Sequence, residues 1–331
     1  MSVVEKEIKD QIKEIPLVFE YISKNIEKIV PKFLEKSELV YFIGCGTSYY
    51  LALSASRFFT YKTGIETKAL PGGEVTFKHF ENVGRNNLNR TAVLISRSGE
   101  STEVVKAGEI LNELNIKTFG ITLEENSSLV KTSSESLILP IKENAIVMTK
   151  SFSSMLLSLQ IISSFIAGER DFKVYEKVIE NVERIIKDSE KLIHERDLLN
   201  GSHYVFLGLG MQEGLARESA LKLEEMSLTK TEAYSKFEYR HGPKSLVEKG
   251  VNIIIFSEKD KEEDKLVEEL KNYGGNVIKI GDENSDLYIS NDFPYDLSLR
   301  IIFSQILGLH IAERKGLDVD RPRNLTKVVS I

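Results

Sequence analysis

Leu39-Val40-Tyr41-Phe42-Ile43-Gly44-Cys45-Gly46-Thr47-Ser48 and His203-Tyr204-Val205-Phe206-Leu207-Gly208-Leu209-Gly210 are two versions of one phrase. Each is a short apolar run that ends in spaced glycines, and each opens onto helical spacing, over 47–61 and over 212–226. An apolar run that breaks on glycine and enters a helix is the strand-to-helix corner of a parallel sheet covered on both faces. Working outward from the first corner, strands are predicted at 66–70, 91–95, 117–121 and 136–139, with a helix over 100–114. From the second, strands are predicted at 251–256 and 276–280, with a helix over 261–272. The expected fold is therefore α/β, with two tandem lobes. Each lobe is a mostly parallel sheet flanked by helices in three α/β/α layers.

Upstream, residues 4–36 read as two polar-faced helices broken at Pro16, because proline cannot continue the helical ladder. The expected organisation is a helical lead-in over 1–36, a first lobe with a helix-rich connector over 37–199, and a second lobe with a C-terminal tail over 200–331. Asn200-Gly201 marks the boundary between the lobes.

At 331 residues and 41% hydrophobic content the chain fills more than one core. With 44 basic and 50 acidic residues, its net charge of -6 repels a polyanion and argues against nucleic acid as partner. A single cysteine cannot form an internal disulfide, so a reducing compartment is allowed. The first ten residues mix charges and lack an apolar signal core, so export is not expected and a cytoplasmic setting is. Residues 151–168 carry six serines and a glutamine among apolar residues at helical spacing, which fits a helix buried in protein and not a membrane span.

The glycine corners invite a dinucleotide-binding reading, but neither has the third glycine of that fingerprint. Walker, paired-cysteine and His-Glu-x-x-His patterns are missing as well. What the first lobe does carry is hydroxyls at two corners, Thr47-Ser48 and Ser96-Arg97-Ser98-Gly99-Glu100-Ser101. Beyond the carboxyl ends of parallel strands, such groups with backbone N–H groups make a cradle for an anion, and they equally serve as ordinary helix caps. At the equivalent place the second lobe has Ser257-Glu258-Lys259-Asp260, whose carboxylates repel phosphate, so one lobe is expected to bind the anion.

On the helix over 212–226, Leu215, Ser219, Leu223 and Met226 form the buried stripe, with Glu218, Lys222 and Glu225 along one edge. That edge reads as an acid–base pair on a half-buried rim or as a surface salt-bridge ladder. Of the five histidines, His241 stands in a turn fixed by Gly242-Pro243 and is the candidate general acid or base.

These residues resemble a known family. Gly44-Cys45-Gly46-Thr47-Ser48, the 96–101 loop, Lys222-Leu223-Glu224-Glu225, Glu232-Ala233-Tyr234 with His241-Gly242-Pro243, and the tail from Asp318 to Lys327 are similar to the sugar isomerase (SIS) domains of glucosamine-6-phosphate synthases. The resemblance runs in order from about residue 37 onward. It implies that Ser48, Ser96, Arg97, Ser98 and Ser101 hold a sugar phosphate, with arginine and serine replacing the family's usual glutamine and threonine. It implies that Cys45, Gly46 and Thr47 border the sugar, which Ile146 and Met148 line through their backbones. Glu225 would shuttle a proton between carbons 1 and 2, supported by Lys222. His241 would open the ring from the other subunit of a homodimer, and Lys327 would lie beside the sugar carbonyl.

The chain begins Met1-Ser2-Val3 without the N-terminal cysteine of a glutaminase, and Glu238 to Ser245 looks closer to stand-alone SIS deaminases. The expected reaction is glucosamine 6-phosphate plus water giving fructose 6-phosphate and ammonia, with no metal or redox cofactor. The alternatives are an aldose–ketose isomerase, a fructosamine-phosphate deglycase, ammonia-dependent glucosamine 6-phosphate formation, and a non-catalytic sugar-phosphate sensor.

Overall fold

The computed structural model describes residues 1–84, 88–201 and 203–327. A long helix, α1 (Val3–Ile29), opens the chain and is followed by the single turn α2 (Lys32–Glu35). The first sheet and its helices are β1 (Leu39–Gly44), α3 (Thr47–Thr63), β2 (Glu66–Pro71), α4 (Gly72–Asn82), β3 (Arg90–Ile95), α5 (Thr102–Glu113), β4 (Lys117–Thr122), α6 (Ser128–Thr132) and β5 (Glu135–Ile138). Three helices follow: α7 (Lys150–Ile166), α8 (Lys173–Ile179) and α9 (Val182–Glu195). The second sheet and its helices are β6 (His203–Gly208), α10 (Gln212–Ser227), β7 (Thr231–Ser235), β8 (Val251–Phe256), α11 (Lys261–Asn272), β9 (Asn276–Gly281), β10 (Leu287–Tyr288) and α12 (Ile302–Arg314).

Each sheet has five strands, all parallel, in the orders β2-β1-β3-β4-β5 and β10-β9-β8-β6-β7. Read from its other edge the second order is β7-β6-β8-β9-β10, so the two sheets are wound alike. Their central strands are buried almost throughout, which is why the sequence shows continuous apolar runs there and not alternation.

The repeated corner has one physical cause in both lobes. A Cβ on Gly44 would lie 2.4 Å from the carbonyl group of Ser48, and one on Gly208 would lie 2.1 Å from that of Gln212. Gly46 and Gly210 hold φ of +54° and +56°, in the left-handed region that L-residues avoid.

Pro16 does not break α1 as expected. Val4, Ile8, Ile15, Val18, Ile22 and Ile26 are buried at helical spacing along it, and the helix runs unbroken through the proline. A proline inside a helix costs roughly 3 kcal/mol, whereas each buried aliphatic side chain contributes about 1.5–3 kcal/mol. The stripe wins. α7 is buried from Lys150 to Phe165, and two of its serines turn back on their own helix, Ser158 Oγ donating to the Ser154 carbonyl at 2.8 Å and Ser163 Oγ to that of Leu159 at 2.6 Å. Among the described residues no helix is long and apolar enough to cross a membrane.

The chain divides into two compact units. One holds Glu14–Glu143, Ser154–Phe172 and the chain from Thr326, and contains the first sheet. The other holds Met1–Lys13, Asn144–Ser153 and Lys173–Leu325, and contains the second.

Candidate functional site

In the unit of the first sheet, the chain leaves β3 at Ile95 and turns through Ser96–Ser101 before α5. The turn is laced to the end of β4. Ser96 N–H donates to the Ile121 carbonyl, and Leu123 N–H and Thr122 Oγ1 both donate to the Arg97 carbonyl, each at 3.1 Å. Gly99 has φ of +65° and presses on Ser127, where a Cβ would sit 2.2 Å from Ser127 Oγ. Only glycine lets the loop close this tightly.

The loop's hydroxyls are not spent on capping. The N-cap of α5 is Ser101, whose side chain makes no cap bond, and the N-cap of α3 is Gly46 and not Thr47. Ser96 is buried with its Oγ 3.1 Å from Ser101 Oγ, while Ser98 Oγ accepts the Glu100 N–H at 3.2 Å. Thr47 and Ser48 are buried in the first turn of α3.

Arg97 is buried and donates through Nη1 to Glu143 Oε2 at 2.9 Å, a contact in which the carboxylate is fully enclosed. Lys327 Nζ donates to the backbone carbonyl of the same Glu143 at 2.6 Å. Ser98 and Lys327, far apart in the sequence, line one cavity of about 670 Å³ together with Glu100, Glu124, Ser127 and Lys142. Glu100 accepts the Ser128 N–H at 2.8 Å, and that bond holds its carboxyl below the usual range. Ser48, Ser96, Arg97 and Ser101 lie outside this cavity's lining. Beside Gly46, burial pushes the Cys45 thiol up to about 11, with Glu103 adding to it, so the sulfur stays protonated and serves as a packing atom under Gly72.

In the unit of the second sheet, α10 buries Leu215, Ser219, Leu223 and Met226 as its spacing requires. The edge beside them is deeper than a half-buried rim. Glu218 and Lys222 are both 0% exposed, which rules out the surface-ladder reading. Lys222 Nζ lies 3.2 Å from Glu218 Oε1 and 2.5 Å from Glu225 Oε2. Burial alone pulls the Lys222 ammonium down, but the two carboxylates outweigh it and raise its pKa above the ordinary lysine value. One cation thus serves two carboxylates, and Glu225, with its side chain 19% exposed, is the end that meets solvent. Glu224 is exposed and accepts from Thr231 Oγ1 at 2.7 Å.

His241 is exposed at the end of a 3₁₀ turn, Glu238–Arg240, with its N–H on the Glu238 carbonyl at 2.9 Å. Gly242 follows with φ of +130°, and the loop is braced against α11 by Glu269, which accepts from Arg240 Nε at 3.1 Å and from Lys244 Nζ. Ile146 is half-buried and Met148 buried in the irregular stretch before α7.

Two carboxylates at these loops escaped the sequence reading. Glu143 joins Arg97 and Lys327, but its polar neighbours Lys142 and Asn144 give no sign of burial. Glu263 is the other, on the first turn of α11. Ser257 stands where Ser96 does, at the end of the third strand of the winding, with its N–H on the Ile280 carbonyl at 2.8 Å. Its hydroxyl donates to Glu263, which also accepts from Lys236 Nζ and from the Glu258 N–H at 3.3 Å, fully buried. Glu258 and Asp260, the expected source of repulsion, are occupied otherwise. Glu258 accepts from Gln212 Nε2 at 2.5 Å, and Asp260 caps α11 through the Glu262 N–H at 2.8 Å.

Two parallel α/β lobes, one with a hydroxyl loop at its β3 corner and the other with a buried lysine between carboxylates on α10, define a tandem-lobe protein of one fold used twice. The chain belongs to the SIS domain family, whose model matches residues 33–166 and 197–302. The crystal structure of glucosamine-6-phosphate deaminase from Thermotoga maritima is similar, with a TM-score of 0.91 and 41% identity over 100% of both chains. The isomerizing glutamine–fructose-6-phosphate aminotransferase of Sulfurisphaera tokodaii is 30% identical over 319 residues, covering 92% of this chain and 52% of that protein. The aminotransferase of the same name from Fusobacterium nucleatum is 28% identical over 388 residues, covering 99% of this chain and 63% of its own length. The chain thus spans about half to two thirds of these curated relatives.

Proposed function

We propose that the protein is an amino-sugar phosphate deaminase that converts glucosamine 6-phosphate and water into fructose 6-phosphate and ammonia. The observation that carries the proton chemistry is the buried Lys222 between Glu218 and Glu225, with Glu225 alone reaching solvent. The likeness to the Thermotoga maritima deaminase over the full length of both chains supports the choice of substrate.

In this reading Ser48, Ser96, Arg97, Ser98 and Ser101 take the substrate's phosphate, Cys45, Gly46 and Thr47 border the sugar, and Ile146 and Met148 line it through their backbones. Glu225 takes the proton from carbon 2 of the open-chain aldose and returns it to carbon 1. That leaves a carbon 2 imine, and water adds to it and expels ammonia. Lys222 holds the carboxylate in place and sets a positive charge beside it. His241 opens the ring, donated by the second subunit of a homodimer, and Lys327 faces the carbonyl.

The aminotransferase relatives favour a second reading, in which the same residues run toward amination of fructose 6-phosphate. Ammonia release measured over a panel of amino-sugar 6-phosphates tests the proposal. Glucosamine 6-phosphate should be turned over with equimolar ammonia and ketose phosphate. Ketose–aldose interconversion with no ammonia from any amino sugar would contradict it.

A further inference from the structure

Residues 144–149 form no helix or strand, yet Ala145, Val147, Met148 and Thr149 are buried. A buried irregular segment must find partners for its backbone groups outside any ladder. Two of them are met by α1 and one by α12. Glu7, 2% exposed, accepts the N–H groups of Asn144 at 2.6 Å and Ala145 at 3.2 Å, one on each carboxylate oxygen. One turn later Gln11, also buried, accepts from Ser153 Oγ at 2.7 Å and donates to Gln305 Oε1 at 2.9 Å. Gln305 in turn donates to the Thr149 carbonyl at 3.0 Å. Residues four apart on one helix face therefore hold the start of the segment directly, through Glu7, and its end through Gln305. The grip is itself anchored, since Asp320 accepts the Val3 and Val4 N–H groups at 2.8 and 3.0 Å at the start of α1.

Burying a carboxylate is costly, and an amide or hydroxyl could satisfy a single N–H at less expense. A carboxylate that receives two successive amide protons makes two charge-assisted bonds and fixes the peptide between them in position and direction. What it fixes is short. Between Ala145 and Thr149 only Ile146 is left accessible, so the clamp determines what the segment presents to its surroundings.

We propose that Glu7 is a positioning residue for substrate recognition: by clamping Asn144 and Ala145 it sets the backbone at Ile146 and Met148 against the sugar. The inference rests on the assignment of that segment to the sugar made above. Glu7→Gln keeps the shape but turns an NH₂ toward one of the two amide donors. The KM for glucosamine 6-phosphate should rise about ten-fold, as expected for loss of one hydrogen bond to a charged group. kcat should stay within about two-fold, since Glu225 is untouched, and inhibition by inorganic phosphate, which reads the hydroxyl loop alone, should not change. Ile8→Val on the same helix should lower stability without moving KM, which separates positioning from mere support.

Amide hydrogen exchange gives a readout independent of turnover. Exchange at 144 and 145 should quicken in Glu7→Gln, and in the wild type saturating fructose 6-phosphate should slow exchange across 144–149 as well as 96–101. If Glu7→Gln does not fold, Glu7→Asp, shorter by one methylene with its charge kept, should show a smaller KM rise. An unchanged KM with faster exchange at 144 and 145 overturns the inference. So does ligand protection at 96–101 with none at 144–149, a result that leaves the deaminase reading standing. No turnover and no protection anywhere removes both.

Discussion

The β3 corner of the first lobe and the β8 corner of the second have the same strand order, the same N–H bond from their leading serine to the neighbouring strand, and opposite contents. At Ser96–Ser101 the loop keeps hydroxyls beside a cavity, and its one arginine is held by Glu143. At Ser257 the serine hydroxyl, a backbone N–H and a lysine all converge on Glu263. The second corner carries its own anion. An internal carboxylate that is always in place fills the cradle more firmly than repulsion from Glu258 and Asp260 would exclude a ligand from it. The same corner stands beside a cavity in one copy and is closed by a buried carboxylate in the other, while the helix earlier in the winding, α3 or α10, carries hydroxyls in the first copy and the Glu218–Lys222–Glu225 set in the second.

Stability and function should separate along that line. The largest effect is expected for Glu263→Gln, which leaves Lys236 buried without its counter-charge. Loss of one member of such a pair costs about 3–5 kcal/mol, read from the urea midpoint, with the KM of the surviving folded enzyme unchanged. A raised KM at full stability would mean that the second corner also meets substrate. Ser98→Ala should do the reverse. Loss of a hydrogen bond to a charged ligand group costs about 1.5–3 kcal/mol, so KM should rise about 10- to 100-fold with kcat less affected and the midpoint unmoved; an unchanged KM would place the phosphate elsewhere. The smallest effect is expected for Glu224→Gln, since Glu224 is exposed and bonded only on the surface to Thr231. Activity should stay within about two-fold of the wild type, in the range of surface substitutions.

The corners were legible in the sequence because their geometry demands glycine at Gly44 and Gly208, where a Cβ would collide with backbone, and at Gly46 and Gly210, where φ is positive. The hydroxyl loop was legible for a similar local reason. On α10 the helical period separated Glu225 from Glu224 but said nothing of depth. Depth comes from α12, where Gly308 lets the helices close, a Cβ there falling 3.3 Å from the Lys222 carbonyl oxygen, and where Ser304 Oγ bonds Ser219 Oγ at 2.8 Å. That packing joins stretches far apart in the chain, so no local pattern announces it. Glu7, Glu143 and Glu263 were hidden for the same cause: a charged residue in a polar stretch looks exposed until its distant donors are known.

The central claim is that Glu225 moves the carbon-bound proton. Its most direct test is incorporation of deuterium from heavy water into fructose 6-phosphate, followed by NMR with no ammonia chemistry involved. The wild type should exchange the proton. Glu225→Gln, which keeps the shape and removes the base, should exchange it slower by about 10²–10⁴, the usual worth of a general base, while Glu224→Gln should exchange it at the wild-type rate. Retained exchange in Glu225→Gln, or its loss in a folded Glu224→Gln, would contradict the account and move the base off this face of α10.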